Sequence, residues 1–143
     1  MSKDILCFFY GSFMNREVMA KANHVLDRWE VATLPGFDLR IAPHANLIPS
    51  AGRMAFGLLT PMTHAKLDRL YGSQSRGEEY LPESVLVLRG DNSYRAATTY
   101  LVSDMEPGTP DQDYLEMIAK PAQEYGFPDW YVEKIRSFIQ PHS

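Results

Sequence analysis

The sequence contains one cysteine, Cys7, so no disulfide can form within the chain. The cysteine lies inside an apolar run, and the four histidines, at positions 24, 44, 64 and 142, lack the i, i+4 spacing of a helical metal site. We therefore expect a cytoplasmic protein that uses no metal and no other cofactor. Cys7 is better suited to packing than to nucleophilic attack, because a reactive thiolate needs an electropositive and partly open setting.

Long apolar segments and basic clusters are also missing. No stretch has the roughly 20 apolar residues that span a bilayer, and the first apolar run is shorter than the core of a signal peptide. The 14 Lys and Arg are scattered among 18 Asp and Glu, which gives a net charge of −4. Membranes and nucleic acids are therefore not expected as partners. Without repeats or Ser/Gly linkers, the sequence predicts a single domain over residues 1–143.

The first apolar run, residues 5–10, passes directly into Gly11 and Ser12. Six apolar or aromatic residues in a row predict a strand that is buried on both faces, and the glycine lets the backbone turn sharply. A strand that ends in such a turn just before a helix directs free backbone N–H groups at one point, which suits a carboxylate or a developing oxyanion. The alternative is an ordinary core strand followed by a tight turn.

The remaining patterns alternate between strands and helices. Segments of period two predict strands at residues 29–34, 37–41, 53–60, 83–89 and 94–102. Capped segments of period 3.6 predict helices at residues 15–22, 63–72, 111–126 and from 128 onwards. Residues 43–52, with two prolines and a glycine, predict a loop that carries His44. We therefore expect a mixed α/β domain in which a small, mostly antiparallel sheet is curled or closed into a barrel with flanking helices.

The order of these features resembles the γ-glutamyl cyclotransferase-like family over nearly the whole chain. The first strand of that family ends in Tyr-Gly-Ser-Asn, and here Tyr10-Gly11-Ser12 is followed by Phe13. Further matches are Pro35-Gly36-Phe37, the strand into Gly57, Leu67-Asp68 before Gly72, Tyr80 ahead of Val85 and Val87, Tyr100, Pro110 to Tyr114, Ala122, Gly126, Pro128 and Tyr131. The resemblance implies a compact mixed barrel with flanking helices.

The resemblance also implies a reaction. In the family, the α-amine of a γ-glutamyl group attacks its own side-chain amide carbonyl, which releases 5-oxoproline and the attached amine or peptide. The reaction needs a base for the ammonium, donors for the carbonyl oxygen and a proton for the leaving amine. In the family the opening turn supplies the donors and tyrosines shape the pocket. Carried over to this chain, these roles imply a substrate site at Tyr10, Gly11, Ser12, Phe13, Tyr80, Tyr100 and Tyr114.

The proton carrier departs from the family pattern. The family places a glutamate directly before the glycine that ends the Leu-Asp helix, and here that position is Tyr71. A phenol with an ordinary pKa of about 10 is a poor base at neutral pH unless its environment lowers that value. In a first hypothesis, Glu79, then Glu78, with Glu83 third, supplies a relocated carboxylate base. Glu78 and Glu79 can equally be a solvated charge pair on a polar loop.

In a second hypothesis the protein has lost the activity and binds a small amino-acid-like or amine ligand, or a protein partner. Phe13, where the family has Asn, favours this second hypothesis, because an apolar side chain there alters the anion-binding turn. A third possibility is an interaction protein whose barrel is filled and has no pocket. Ser12 is a weak candidate for a nucleophile, since the motif that surrounds a catalytic serine at a nucleophile elbow is absent.

Overall fold

A computed structural model describes residues 4–73 and 79–139. Five strands form a closed barrel in the order β1-β3-β2-β4-β5. The strands are β1 (Ile5–Phe9), β2 (Glu30–Ile41), β3 (Ala45–Met62), β4 (Leu81–Arg89) and β5 (Tyr94–Leu101). Neighbouring strands run antiparallel except β1 and β5, which are parallel. The prediction of a mostly antiparallel sheet closed into a barrel is therefore confirmed.

Four helices flank the barrel, namely α1 (Arg16–Lys21), α2 (His64–Ser73), α3 (Gln112–Glu124) and α4 (Asp129–Ser137). A short 3-10 turn, Ser12–Met14, connects β1 to α1. The predicted caps are present: the side chain of Asn15 accepts hydrogen bonds from the amides of Glu17 and Val18, and Thr63 accepts one from Lys66 at 3.2 Å. These short polar side chains satisfy N–H groups that the first helical turn leaves unpaired.

The predictions for β2 and β3 are wrong in two respects. Residues 30–34 and 37–41, which the sequence predicts as separate strands, belong to the single strand β2, which lies between β3 and β4. The predicted loop at 43–52 is almost entirely strand, because β3 begins at Ala45, opposite Ile41.

A bulge explains both errors. Pro35 pairs with Met54 and Phe37 pairs with Pro49, so residues 50–53 of β3 lie opposite the single residue Gly36. Gly36 has a φ of +86°, which suits a residue without a Cβ. The prolines and glycines in these segments therefore mark a bulge. Pairing between β2 and β3 outweighed the local preference of these residues for a loop.

The core fills the barrel and the space beneath the helices. Its largest fully buried side chains include Phe8, Phe9, Met14, Met19 and Tyr131. Gly57 allows β1 and β3 to approach closely, since a Cβ at that position would lie 2.4 Å from the carbonyl oxygen of Phe9. None of the helices in the described ranges has the length and apolar character that crossing a membrane requires.

Candidate functional site

A cavity lies where β1 ends, beside the first residue of β3. Its volume is about 50 Å³, which is room for a few water-sized groups. The described residues that line it are Phe9, Tyr10, Gly11, Ser12, Phe13, His44, Ala45, Tyr71, Tyr80 and Tyr114. The structure therefore brings together six of the seven residues expected to bind a substrate, and also Tyr71. Such a volume has room for a small head group of a ligand.

The opening turn presents backbone donors to this cavity. The carbonyl oxygens of Gly11 and Ser12 accept hydrogen bonds from Met14 and Asn15, both at 3.0 Å, so these carbonyls point into the following turn. The N–H groups of a helical turn point the opposite way. Within residues 4–73 and 79–139, no hydrogen-bond acceptor is found for the N–H of Gly11 or of Ser12. The turn thus has two amide donors available to a ligand.

Three tyrosines build the wall next to the donors. The Tyr80 hydroxyl donates to the carbonyl oxygen of Ala45 at 2.6 Å, and the Tyr114 hydroxyl accepts from the N–H of Ala45 at 2.9 Å. The Tyr10 hydroxyl donates to the carbonyl oxygen of Tyr100 at 2.6 Å. These bonds hold the rings in place, so the wall is set by the fold before any ligand binds.

Tyr71 packs among other aromatic rings at the cavity. Its ring stacks on Tyr100, with centroids 3.9 Å apart and an angle of 11°, and meets Phe13 edge-on at 5.2 Å. Tyr100 thus lies against Tyr71 and is not among the residues that line the cavity. Burial, and then the negative charge that Cys7 and neighbouring phenols such as Tyr10 would carry if ionised, raise the pKa of Tyr71 well above its ordinary value. At neutral pH Tyr71 is therefore a neutral phenol, which can exchange hydrogen bonds but is a poor base.

Neither of the two described carboxylates that were considered as bases, Glu79 and Glu83, lines the cavity. Glu79 is exposed and directly precedes Tyr80, and Glu83 is exposed on β4 opposite Thr99. Glu78 lies outside the described residues. None of the described residues that line the cavity is an Asp, Glu, Lys or Arg. A relocated carboxylate base stays a prediction.

His44 is a lining residue that the sequence analysis did not assign to the site. It directly precedes Ala45, and its ring meets Tyr114 edge-on at a centroid distance of 5.3 Å. From the sequence we expect His44 in a loop of ten residues and consider it only as a possible metal ligand. The sequence signal for this role was that His44 directly precedes an apolar segment. That segment is identified as a strand only once its pairing with β2 is known.

Cys7 and possible metal ligands lie apart from this site. Cys7 is fully buried in β1, and burial raises the pKa of its thiol far above the ordinary value, so the thiol stays protonated. Across the described ranges no three His, Cys, Asp or Glu side chains come together as potential ligands of one metal ion.

Comparisons with known proteins place the chain in a family. The model of the AIG2-like family matches residues 55–135, which is more than half of the chain. A sequence search against curated proteins finds no match.

Several solved structures share the fold. An uncharacterised human protein superposes with a TM-score of 0.79 at 24% identity, covering 99% of this chain and 90% of the human one. A γ-glutamyl cyclotransferase gives a TM-score of 0.79 at 24% identity, with 98% and 90% covered. YkqA from Bacillus subtilis gives 0.78 at 26% identity, covering 95% of this chain and 54% of YkqA. The chain therefore belongs to the AIG2-like family, and its barrel has the γ-glutamyl cyclotransferase-like fold.

Proposed function

We propose that this protein releases 5-oxoproline from a small γ-glutamyl amine or peptide. The observation that carries the proposal is the pair of amide N–H groups at Gly11 and Ser12, which lack an acceptor within the described residues and border a cavity walled by tyrosines. Preorganised donors of this kind stabilise a carbonyl oxygen as it gains charge. The shared fold with a γ-glutamyl cyclotransferase supports the same reaction class.

The reaction breaks one bond and forms another within the substrate. The α-ammonium loses a proton, its nitrogen attacks the γ-carbonyl carbon, and the carbonyl oxygen receives hydrogen bonds from Gly11 and Ser12. The α-nitrogen loses a second proton as it becomes the ring N–H of 5-oxoproline. The C–N bond to the attached amine breaks, and the leaving nitrogen takes up two protons and departs as an ammonium, so the overall proton count is unchanged. Because the attack is intramolecular, a site that binds the substrate folded back on itself supplies much of the rate.

The cavity supports a small substrate head group. With a volume of about 50 Å³, it has room for the part of the γ-glutamyl group that reacts, while the attached amine or peptide extends outward. No step of this scheme calls for a metal ion, so we expect the rate to be unchanged by a chelator such as EDTA. The single cysteine is consistent with action in the reducing cytoplasm.

The test is a product assay with paired substrates. The purified protein is incubated with γ-glutamyl dipeptides and γ-glutamyl alkylamines, and 5-oxoproline and the free amine are quantified by mass spectrometry. We expect the two products in equal amounts, and none from the isomeric α-glutamyl dipeptides, which have no amide at the γ-carbon. Absence of 5-oxoproline from every γ-glutamyl compound would contradict the proposed function.

Glu79→Gln tests the carboxylate that the sequence ranked first as base. If Glu79 carries the proton, this variant loses 5-oxoproline release while its melting temperature stays that of the wild type. Glu124→Gln, an exposed carboxylate at the end of α3, is the matched control. Unchanged turnover in Glu79→Gln excludes Glu79 as the base.

A second candidate function is ligand binding without turnover. It is favoured by Tyr71, because a phenol whose pKa is raised stays protonated at the position where the family has a carboxylate. This alternative predicts no product but a higher melting temperature with small carboxylates such as glutamate or 5-oxoproline, since a ligand that binds only the folded form stabilises it. The absence of stabilisation by any of these compounds would argue against it.

A further inference from the structure

His44 lies beside the amide donors. Gly11 is so close to Ala45 that a Cβ on residue 11 would lie 2.9 Å from the Cβ of Ala45. His44 directly precedes Ala45 and lines the same cavity as Gly11 and Ser12. A substrate whose carbonyl oxygen rests on these two amides therefore lies in a cavity that His44 also lines.

Hydrogen bonds of the backbone at His44 and at the next residue fix the position of this histidine. Its carbonyl oxygen accepts a hydrogen bond from the N–H of Ala42 at 3.4 Å, and the next N–H, that of Ala45, donates to the Tyr114 hydroxyl. The imidazole also packs edge-on against the Tyr114 ring, at an angle of 78°. As a whole residue, His44 is partly exposed.

The other titratable groups that line the cavity, among the residues described, are phenols. These are Tyr10, Tyr71, Tyr80 and Tyr114, and no charged side chain of residues 4–73 or 79–139 lines the cavity with them. The pKa values of Tyr10 and Tyr71 are raised well above the ordinary value, first by burial and then by neighbouring ionisable groups. Imidazole is the type of side chain that ordinarily exchanges a proton near neutral pH.

We infer that His44 is a catalytic residue, namely the group that carries the proton in the proposed cyclotransferase reaction. The inference rests on that proposed function. Neutral His44 removes a proton from the α-ammonium as the amine nitrogen attacks the γ-carbonyl carbon. The imidazolium then gives this proton to the leaving nitrogen as its bond to carbon breaks, and the imidazole next passes the second surplus proton of the ring nitrogen to the released amine, which departs as an ammonium. The imidazole is neutral again at the end, so no other reactant is needed.

The experiment compares kcat for 5-oxoproline release in the wild type, His44→Asn and His44→Gln. Each variant is first checked for folding by circular dichroism and thermal unfolding. General acid-base catalysis contributes roughly 100-fold to 10,000-fold, so we expect a loss of kcat in that range, with a smaller change in KM. The matched control is His64→Asn, because His64 is exposed at the start of α2 and does not line the cavity. Its kcat should equal that of the wild type.

A chemical rescue separates proton transfer from a structural role. In His44→Ala the missing ring leaves space next to the donors, and added imidazole should restore part of kcat, whereas the same concentration should not change the wild-type rate. An active wild type together with unchanged kcat in both His44→Asn and His44→Gln would overturn the role of His44 and leave the proposed function standing. A folded wild type that turns over no γ-glutamyl compound would overturn both.

Discussion

At the scale of single residues, the geometry of the candidate site depends on the close approach of Gly11 in the opening turn to Ala45 in β3. Gly11 and Ala45 leave no room for another carbon between the opening turn and β3. The two positions at which the sequence resemblance predicts a departure from the family pattern also touch each other, since the ring of Phe13 meets the ring of Tyr71 edge-on at 5.2 Å. Both departures were visible in the sequence as separate changes. Their contact depends on the fold, because the two residues lie on the opening turn and on α2.

Gly11→Ala should lower kcat/KM strongly and change the thermal stability of the fold much less. The new Cβ would lie 2.9 Å from the Cβ of Ala45, so the turn must shift and carry its amide donors with it. Because a misplacement of about 1 Å can cost roughly 100-fold in rate, we expect a loss of roughly 10-fold to 100-fold in kcat/KM for 5-oxoproline release. The measurement is steady-state kinetics alongside thermal unfolding.

Gly90→Ala is the matched control for this change. A Cβ at Gly90 meets no atom within 4 Å, and the residue lies in the hairpin between β4 and β5, away from the cavity. Its kinetics should equal those of the wild type. Gly11→Ala kinetics equal to those of the control would show that the position of the turn does not matter for function.

At the scale of secondary structure, a partly buried hydrogen bond joins α4 to the barrel. The hydroxyl of Tyr131, which is fully buried, accepts from the N–H of Phe56 in β3 at 3.1 Å. The sequence predicted that Tyr131 lies on the apolar face of the last helix, but it gave no partner for the hydroxyl. The partner is distant in the chain, so only the packing of α4 on β3 identifies it.

Tyr131→Phe should destabilise the fold without affecting the cavity. The N–H of Phe56 would lose its acceptor, and a hydrogen bond of this kind contributes about 0.5–1.5 kcal/mol. We expect this decrease in the free energy of unfolding, measured by urea denaturation with an unchanged m-value. Tyr94→Phe, which removes the hydroxyl of an exposed tyrosine on β5, is the control and should be neutral. Equal stability of the two variants would contradict a role for the Tyr131 hydroxyl.

At the scale of the whole molecule, packing of α3 against α4 makes stability depend on pH. The guanidinium of Arg136 on α4 donates two hydrogen bonds, at 2.8 and 3.2 Å, to the carboxylate of Glu116 on α3. This hydrogen bonding holds the pKa of Glu116 below its ordinary value of 4.5. A carboxyl group with a lowered pKa stabilises the folded state above its unfolded pKa, and this contribution disappears as the pH falls through the folded pKa.

Glu116→Gln should therefore make the free energy of unfolding depend less on pH in the acid range. The wild type should be the more stable protein at neutral pH, and its advantage should shrink as the pH falls below about 4.5, where the unfolded chain takes up the proton first. Urea unfolding at a series of pH values measures the difference. Glu106→Gln, an exposed carboxylate, should follow the wild-type curve. A difference between the wild type and Glu116→Gln that is independent of pH would contradict the linkage.

The sequence by itself determined the class of the fold, the helix caps and the residues of the opening turn. These features are local: an alternating pattern, an Asn or Thr before a helix and a Gly-Ser step act through the backbone within a few residues. Hence Asn15 and Thr63 cap their helices where they were expected to do so.

Only the tertiary structure decided that residues 45–52 are strand and that His44 faces the cavity. Both outcomes come from the pairing of β3 with β2 and from the bonds of Tyr80 and Tyr114 to Ala45. These contacts join residues far apart in the chain, and their free energy outweighed the local preference of prolines and glycine for a loop.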